Sequence, residues 1–122
     1  MIPIPGESAV WFENPGDLQT HWNRHLILDD VGNESPVLVD LTGDGVSELV
    51  CIHGGAIGYA SRLSDQPTAS WEFTAISDDR GYGRFTHGLG VGEVDGDGRL
   101  DVLERNGWWQ QPETEETLFE FH

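Results

Sequence analysis

Two nine-residue stretches constrain this chain more than any other feature. They are Asp40-Leu41-Thr42-Gly43-Asp44-Gly45-Val46-Ser47-Glu48 and Glu93-Val94-Asp95-Gly96-Asp97-Gly98-Arg99-Leu100-Asp101. In both, an oxygen-bearing side chain stands at positions 1, 3, 5 and 9, and a glycine at position 6. Alternate residues of a tight loop can turn their oxygens toward one centre. Hard cations such as Ca2+ take about six to eight oxygens at roughly 2.3–2.6 Å, from carboxylates, carbonyls and water. Gly45 or Gly98 supplies a backbone conformation closed to residues with a side chain. The carbonyl of position 7, Val46 or Arg99, can complete the set. Both stretches therefore read as calcium loops, giving two Ca2+ sites.

The nearest confusable motif is the EF-hand loop, which opens similarly but requires a bidentate Glu at position 12 and a helix on each side. Position 12 is Cys51 in the first stretch and Glu104 in the second, and both stretches carry an acid at position 9. The flanks are Pro36-Val37-Leu38-Val39 and Leu49-Val50-Cys51-Ile52 around the first, Leu89-Gly90-Val91-Gly92 and Val102-Leu103 around the second. Short β-branched runs of this kind favour strands, so each loop is expected between two strands. A plain polar turn explains either copy alone, because Asp and Gly are ordinary turn formers. Two copies with matching oxygen positions and matching flanks argue for a common site.

The loops also reveal a period. They are offset by 53 residues (40 to 93). Trp22-Asn23-Arg24-His25-Leu26-Ile27 lines up with Trp71-Glu72-Phe73-Thr74-Ala75-Ile76, an offset of 49, and Phe119-Glu120-Phe121-His122 with the opening of that segment, 48 further on. Trp11-Phe12-Glu13-Asn14-Pro15 matches Trp108-Trp109-Gln110-Gln111-Pro112, an offset of 97. After a Pro/Gly-rich lead-in over 1–8, strands are expected at 9–13, 21–28, 36–40, 47–53, 57–61, 70–76, 88–93, 99–105 and 107–110. Loops are expected over 29–33 and 77–86, and no helix. Four short antiparallel strands per unit of about 50 residues, with the acidic loop between the first and second, are the signature of a β-propeller blade. The fold class is thus all-β. The chain is one repeat region over 1–122: a partial first blade (9–28), a blade with the first calcium loop (36–76), and an incomplete second blade with the other (88–122).

Lys plus Arg total 6 and Asp plus Glu 22, a net charge of 6 − 22 = −16. That argues against nucleic acid and an anionic membrane surface as partners, both of which demand a basic face. Asp40, Asp44, Glu48, Glu93, Asp95, Asp97 and Asp101 all lie in the two loops, so much of the charge belongs to the sites themselves. The single cysteine, Cys51, allows no intrachain disulfide and reads as a small buried hydrophobe. The start of the chain, Met1-Ile2-Pro3-Ile4-Pro5-Gly6, lacks the basic and apolar regions of a signal peptide. No apolar run approaches the ~20 residues of a membrane span. Calcium loops suit the calcium-rich extracellular side, so an exported parent protein, extracellular or periplasmic or at the cell surface, is expected.

The phrases "SPVLVDLTGDGVSELVCI" and "THGLGVGEVDGDGRLDVLERNGWWQQP" resemble the FG-GAP/VCBS-type repeats of integrin-like β-propellers, the second being similar to exported bacterial repeat proteins of that type. The resemblance covers the chain from about Val10 to His122. It implies one ion per blade, tying the first two strands together. By position, the ligands would be Asp40, Thr42, Asp44, the Val46 carbonyl and Glu48 in one site, and Glu93, Asp95, Asp97, the Arg99 carbonyl and Asp101 in the other. Thr42 stands where the family has an acid or amide, and Glu93 where it has Asp. Three carboxylates against four then favour tighter binding at the second site. Propellers close with about four to eight blades. A chain with about two needs either more repeats in a larger propeller or assembly into a homo-oligomer. Trp11, Trp22, Trp71, Trp108 and Trp109 suit packing between blades or at blade ends.

The function expected on these grounds is a non-enzymatic, calcium-stabilised structural or interaction module that presents a surface to a protein or glycan. The alternative is a carbohydrate-binding lectin, or the propeller of a carbohydrate-active enzyme. No Gly-x-Ser-x-Gly, His-Glu-x-x-His or phosphate-cradling glycine loop is present, and His21, His25, His53, His87 and His122 lack zinc-ligand spacing. His87, at the head of a strand, is a candidate ligand contact in a central channel; Trp108 and Trp109 are candidate sugar platforms. Packing roles compete with each. Glu113-Thr114-Glu115-Glu116 reads as a solvated acidic turn.

Overall fold

A computed structural model describes residues 4–114 and 118–122. The reading of Met1–Pro3 as part of the lead-in, and of Glu115 and Glu116 as part of an acidic turn, falls outside those residues. The described residues contain ten strands and no helix: β1 (Glu7–Glu13), β2 (Asn23–Val31), β3 (Val37–Val39), β4 (Glu48–His53), β5 (Ala56–Ser61), β6 (Glu72–Ala75), β7 (Gly90–Gly92), β8 (Asp101–Glu104), β9 (Gly107–Gln110) and β10 (Glu120–Phe121). They form three antiparallel sheets, none of them closed. One is the β1-β2 pair, and two are four-stranded in the orders β3-β4-β5-β6 and β7-β8-β9-β10.

The run Leu49-Val50-Cys51-Ile52 explains how the sheets stack. Successive side chains of a strand point to opposite faces, so an unbroken apolar run is stable only where both faces are covered. Leu49 and Cys51 pack with Ala60 against Ala9, Ile27, Leu28 and Val31 of the β1-β2 pair, with Trp11, Trp71 and Phe73 around them. Val50 and Ile52 pack with Ile57 and Ile76 against Val102 and Trp109 of the third sheet. The β3–β6 sheet is therefore the middle layer, with one hydrophobic core on each face. Backbone bonds tie it to the first layer: Trp71 N donates to Ile27 O at 3.0 Å, and Gly32 N to Ile52 O at 2.7 Å.

Strand positions follow the expected pattern closely, with two extensions, the first being β1, which starts at Glu7 inside the expected lead-in. The second is β2, which runs on through Asp29, Asp30 and Val31, where a loop was expected. The cause is on its partner strand, because β1 begins at Glu7 and pairs it with Val31 across two register shifts. Gly6 N also donates to Val31 O at 2.8 Å. Val31 is buried, and that burial outweighs the turn preference of the two preceding aspartates.

Gly58, paired with Cys51 and Ala75 in the middle of β5, is required by space. A Cβ there would overlap the Thr74 carbonyl oxygen and the Phe73 ring. Gly→Ala in an unobstructed strand would stabilise by roughly 0.5–1 kcal/mol. Gly58→Ala is expected to do the opposite and cost about 1–3 kcal/mol. Urea unfolding checks the sign, and an unchanged or raised midpoint would contradict the packing described.

Candidate metal centre

Each acidic loop joins the first strand of a four-stranded sheet to the second: 40–47 links β3 to β4, and 93–100 links β7 to β8. The two loops share one backbone course. The glycines at positions 4 and 6 all have positive φ, 79° and 87° for Gly43 and Gly45, 86° and 85° for Gly96 and Gly98. This left-handed region costs glycine nothing and other residues appreciably. Two such residues within three positions coil the chain tightly enough to bring alternate side chains together.

Hydrogen bonds inside the loops also correspond. The position-1 carboxylate accepts from the N–H of position 4: Asp40 Oδ1 from Gly43 at 2.8 Å, and Glu93 Oε1 from Gly96. The position-5 carboxylate accepts from position 7: Asp44 from Val46 at 2.7 Å, and Asp97 from Arg99 at 2.8 Å. The position-9 carboxylate reaches back to the N–H of position 2: Glu48 to Leu41 and Asp101 to Val94, both at 2.9 Å. Backbone donors thus fix the direction of these carboxylates within each loop.

In the first loop, Asp40, Asp44 and Glu48 each bring an oxygen within 4.8 Å of the others. The same holds for Glu93, Asp95 and Asp97 in the second. Either group can hold a metal ion, and the donors are all oxygen. Thr42 lies inside the first loop and donates its N–H to Glu48 at 3.2 Å. Val46 and Arg99 occupy position 7, where the backbone turns into the following strand.

Asp101 departs from the expected pattern. It lies outside the converging group and is fully buried. Its Oδ2 is committed to Val94 N, and its Oδ1 accepts from Gln111 N at 3.0 Å. Glu48, one methylene longer, makes the equivalent backbone bonds through Oε2 alone. Its Oε1 has no hydrogen bond among the described residues. The second loop also carries its own cation, since the Arg99 guanidinium pairs with Asp97 Oδ2. The Gln110 side-chain amide donates to Asp95 Oδ2. The roles of Gln110 and Gln111 left no signal in the sequence spacing, because they depend on β9 lying beside the loop.

Crowding marks Glu48 electrostatically. Burial raises its carboxyl above the ordinary Glu value, and the charges of Asp44 and Asp40 push the same way, against the Leu41 and Thr42 amides. A cation among the three would relieve that penalty.

The other candidate contacts lie elsewhere. His87 is exposed at the head of β7, with its Nδ1 3.7 Å from Glu34 Oε2. It borders a small cavity of about 30 Å³ lined also by Asn33 and Thr86. Trp109 is 5% exposed and packed in the core between the sheets. The Arg80 guanidinium lies 4.7 Å from its ring centroid and Phe121 lies 5.0 Å away. Trp108 is half-buried and stacked on His122 at 4.7 Å. No protein-family model, no curated protein and no solved structure matches the chain.

Asp101 is expected to hold the fold even without metal. Asp101→Ala strips the acceptor from two backbone N–H groups and should lower stability by about 1–3 kcal/mol in chelator. Asp97→Ala removes a carboxylate whose side chain is 22% exposed and bonded to Arg99 within its own loop, and should cost less, on the order of 0.5–1 kcal/mol. Denaturant unfolding of both variants checks the contrast, and equal losses would contradict the assignment.

Proposed function

We propose that this chain is a calcium-binding β-propeller segment with a non-enzymatic, structural role. One observation carries the reading: three carboxylates converge in each of two loops that share the same glycine-dependent backbone course. All-oxygen donors on an adaptable loop suit Ca2+. Zinc favours Cys and His ligands, and Mg2+ demands near-ideal octahedral geometry and keeps several waters. The propeller reading is supported by two four-stranded antiparallel sheets with the same strand order, packed face to face, each carrying its loop between first and second strands. In such an arrangement the ions brace strand pairs, and the open faces at either end meet further repeats of a larger propeller or another copy of the chain. An exported parent protein fits this use of calcium.

The core position of Trp109 and the covering of Trp108 by His122 favour a scaffold over a sugar-stacking lectin. A protein or glycan ligand of the assembled propeller remains within this reading, met by other surfaces.

The two sites rank differently from a count of acidic residues. Three carboxylates converge in each, and in the second the Arg99 guanidinium already occupies Asp97. The first loop is therefore the tighter one. Calcium at about 100-fold over its Kd should raise the melting temperature on the order of 10 °C. Asp44→Ala should lower overall affinity more than Asp97→Ala. Calorimetric titration and melting with calcium or excess chelator check this. A melting temperature indifferent to both would reduce the loops to turns.

The pH dependence has opposite signs in the two states. Without metal, Glu48 holds its proton more tightly folded than unfolded, so its contribution to stability is present at low pH and is lost as pH rises through the raised folded value. Calcium requires the deprotonated form. In an Asp97→Ala background, which isolates the first loop, the stabilisation by calcium should therefore shrink as pH falls, beginning above the ordinary Glu range. Melting across pH 4–7 (roughly the range spanning a raised carboxyl) measures it, and a pH-independent calcium effect would contradict the role of Glu48.

A further inference from the structure

The two loops belong to different sheets, yet one residue touches both. Gln111 follows β9, and its main-chain N–H donates to Asp101 Oδ1 at 3.0 Å. Its carbonyl oxygen accepts from Arg99 Nε at 3.3 Å, and that guanidinium also pairs with Asp97. Its side chain turns the other way, across the boundary between the sheets, and Nε2 donates to Leu41 O at 3.0 Å. The N–H of Leu41 in turn donates to Glu48. A continuous run of hydrogen bonds therefore leads from Asp97 of the second loop, through Arg99, Gln111 and Leu41, to Glu48 of the first.

We propose that Gln111 is a positioning residue that couples the two cation loops, so that an ion in one raises the affinity of the other. This rests on the calcium reading above. An ion among Asp40, Asp44 and Glu48 fixes position 2 of its loop and with it the Leu41 carbonyl, which restricts the Gln111 side chain. A restricted Gln111 holds its N–H against Asp101, the residue that closes the second loop at position 9. The freedom of this shared segment is lost once, with the first ion, and the second ion binds to a segment already ordered. Such coupling is reciprocal.

A double-mutant cycle on calcium affinity tests the proposal, using the full chain. Asp44→Ala disables the first loop, and the affinity of the second is read by titration calorimetry, with and without Gln111→Met. Methionine keeps the length of the side chain and the main-chain N–H while deleting only the donor to Leu41. The expected result is that Asp44→Ala weakens the second loop about 5-fold when Gln111 is present and leaves it unchanged in the Gln111→Met background. A purely structural Gln111 would lower stability and both affinities without altering that ratio. An equal effect of Asp44→Ala in both backgrounds, or none in either, overturns the coupling. Should Gln111→Met fail to fold, Gln111→Glu, which likewise removes the donor but stays polar, is read the same way. Two calcium ions bound independently would refute the coupling and leave the calcium reading standing, whereas no calcium bound at all removes both.

Discussion

The double-sided burial of β4 is the constraint on which the structure depends. Leu49 and Cys51 fill one core and Val50 and Ile52 the other, so one four-residue run holds three layers together. The strand also begins at Glu48, which closes the first acidic loop. Core and candidate site therefore share a boundary of a single residue. A carboxylate at that boundary is drawn inward with its strand, and its raised proton affinity follows from the same packing that stabilises the fold.

The second sheet repeats the device with a different balance. Asp101 opens β8 as Glu48 opens β4, but the shorter side chain gives both oxygens to backbone N–H groups and none to the converging cluster. Arg99 and Gln110 then meet the charge of Asp97 and Asp95. Two loops with one backbone course thus differ in how their negative charge is met: by buried amides and crowding in the first, by a guanidinium and an amide side chain in the second.

The fold class was legible because it rests on local rules. Alternating or continuous apolar runs mark strands, and Gly-rich acidic segments mark the turns between them. Gly45 and Gly98 could be read as conformationally obligatory from sequence alone, and both have positive φ, as do Gly43 and Gly96, which carried no such signal. What was not legible depended on residues far apart in the chain. The extension of β2 to Val31 needed its partner Glu7. Gln111 gave no sign of reaching Leu41, 70 residues away. Asp101 looked like a ligand by position, and the one methylene separating it from Glu48 sends its oxygens elsewhere. Trp109 reads in the sequence as a packing residue with a sugar platform as the competing role, and the face of β9 it occupies places it inside.

The chain has one thiol, and its setting makes it a natural reporter. Cys51 faces the core beneath the β1-β2 layer, fully buried, and burial together with the charge of Asp30 pushes its thiol up to about 12. Thiolate, the nucleophilic form, is then negligible near neutrality, and alkylating reagents have no path to the sulfur while the layer is in place. The labelling rate of this single sulfur is therefore a clock for how often the first layer lifts from the middle sheet, and it requires no added probe.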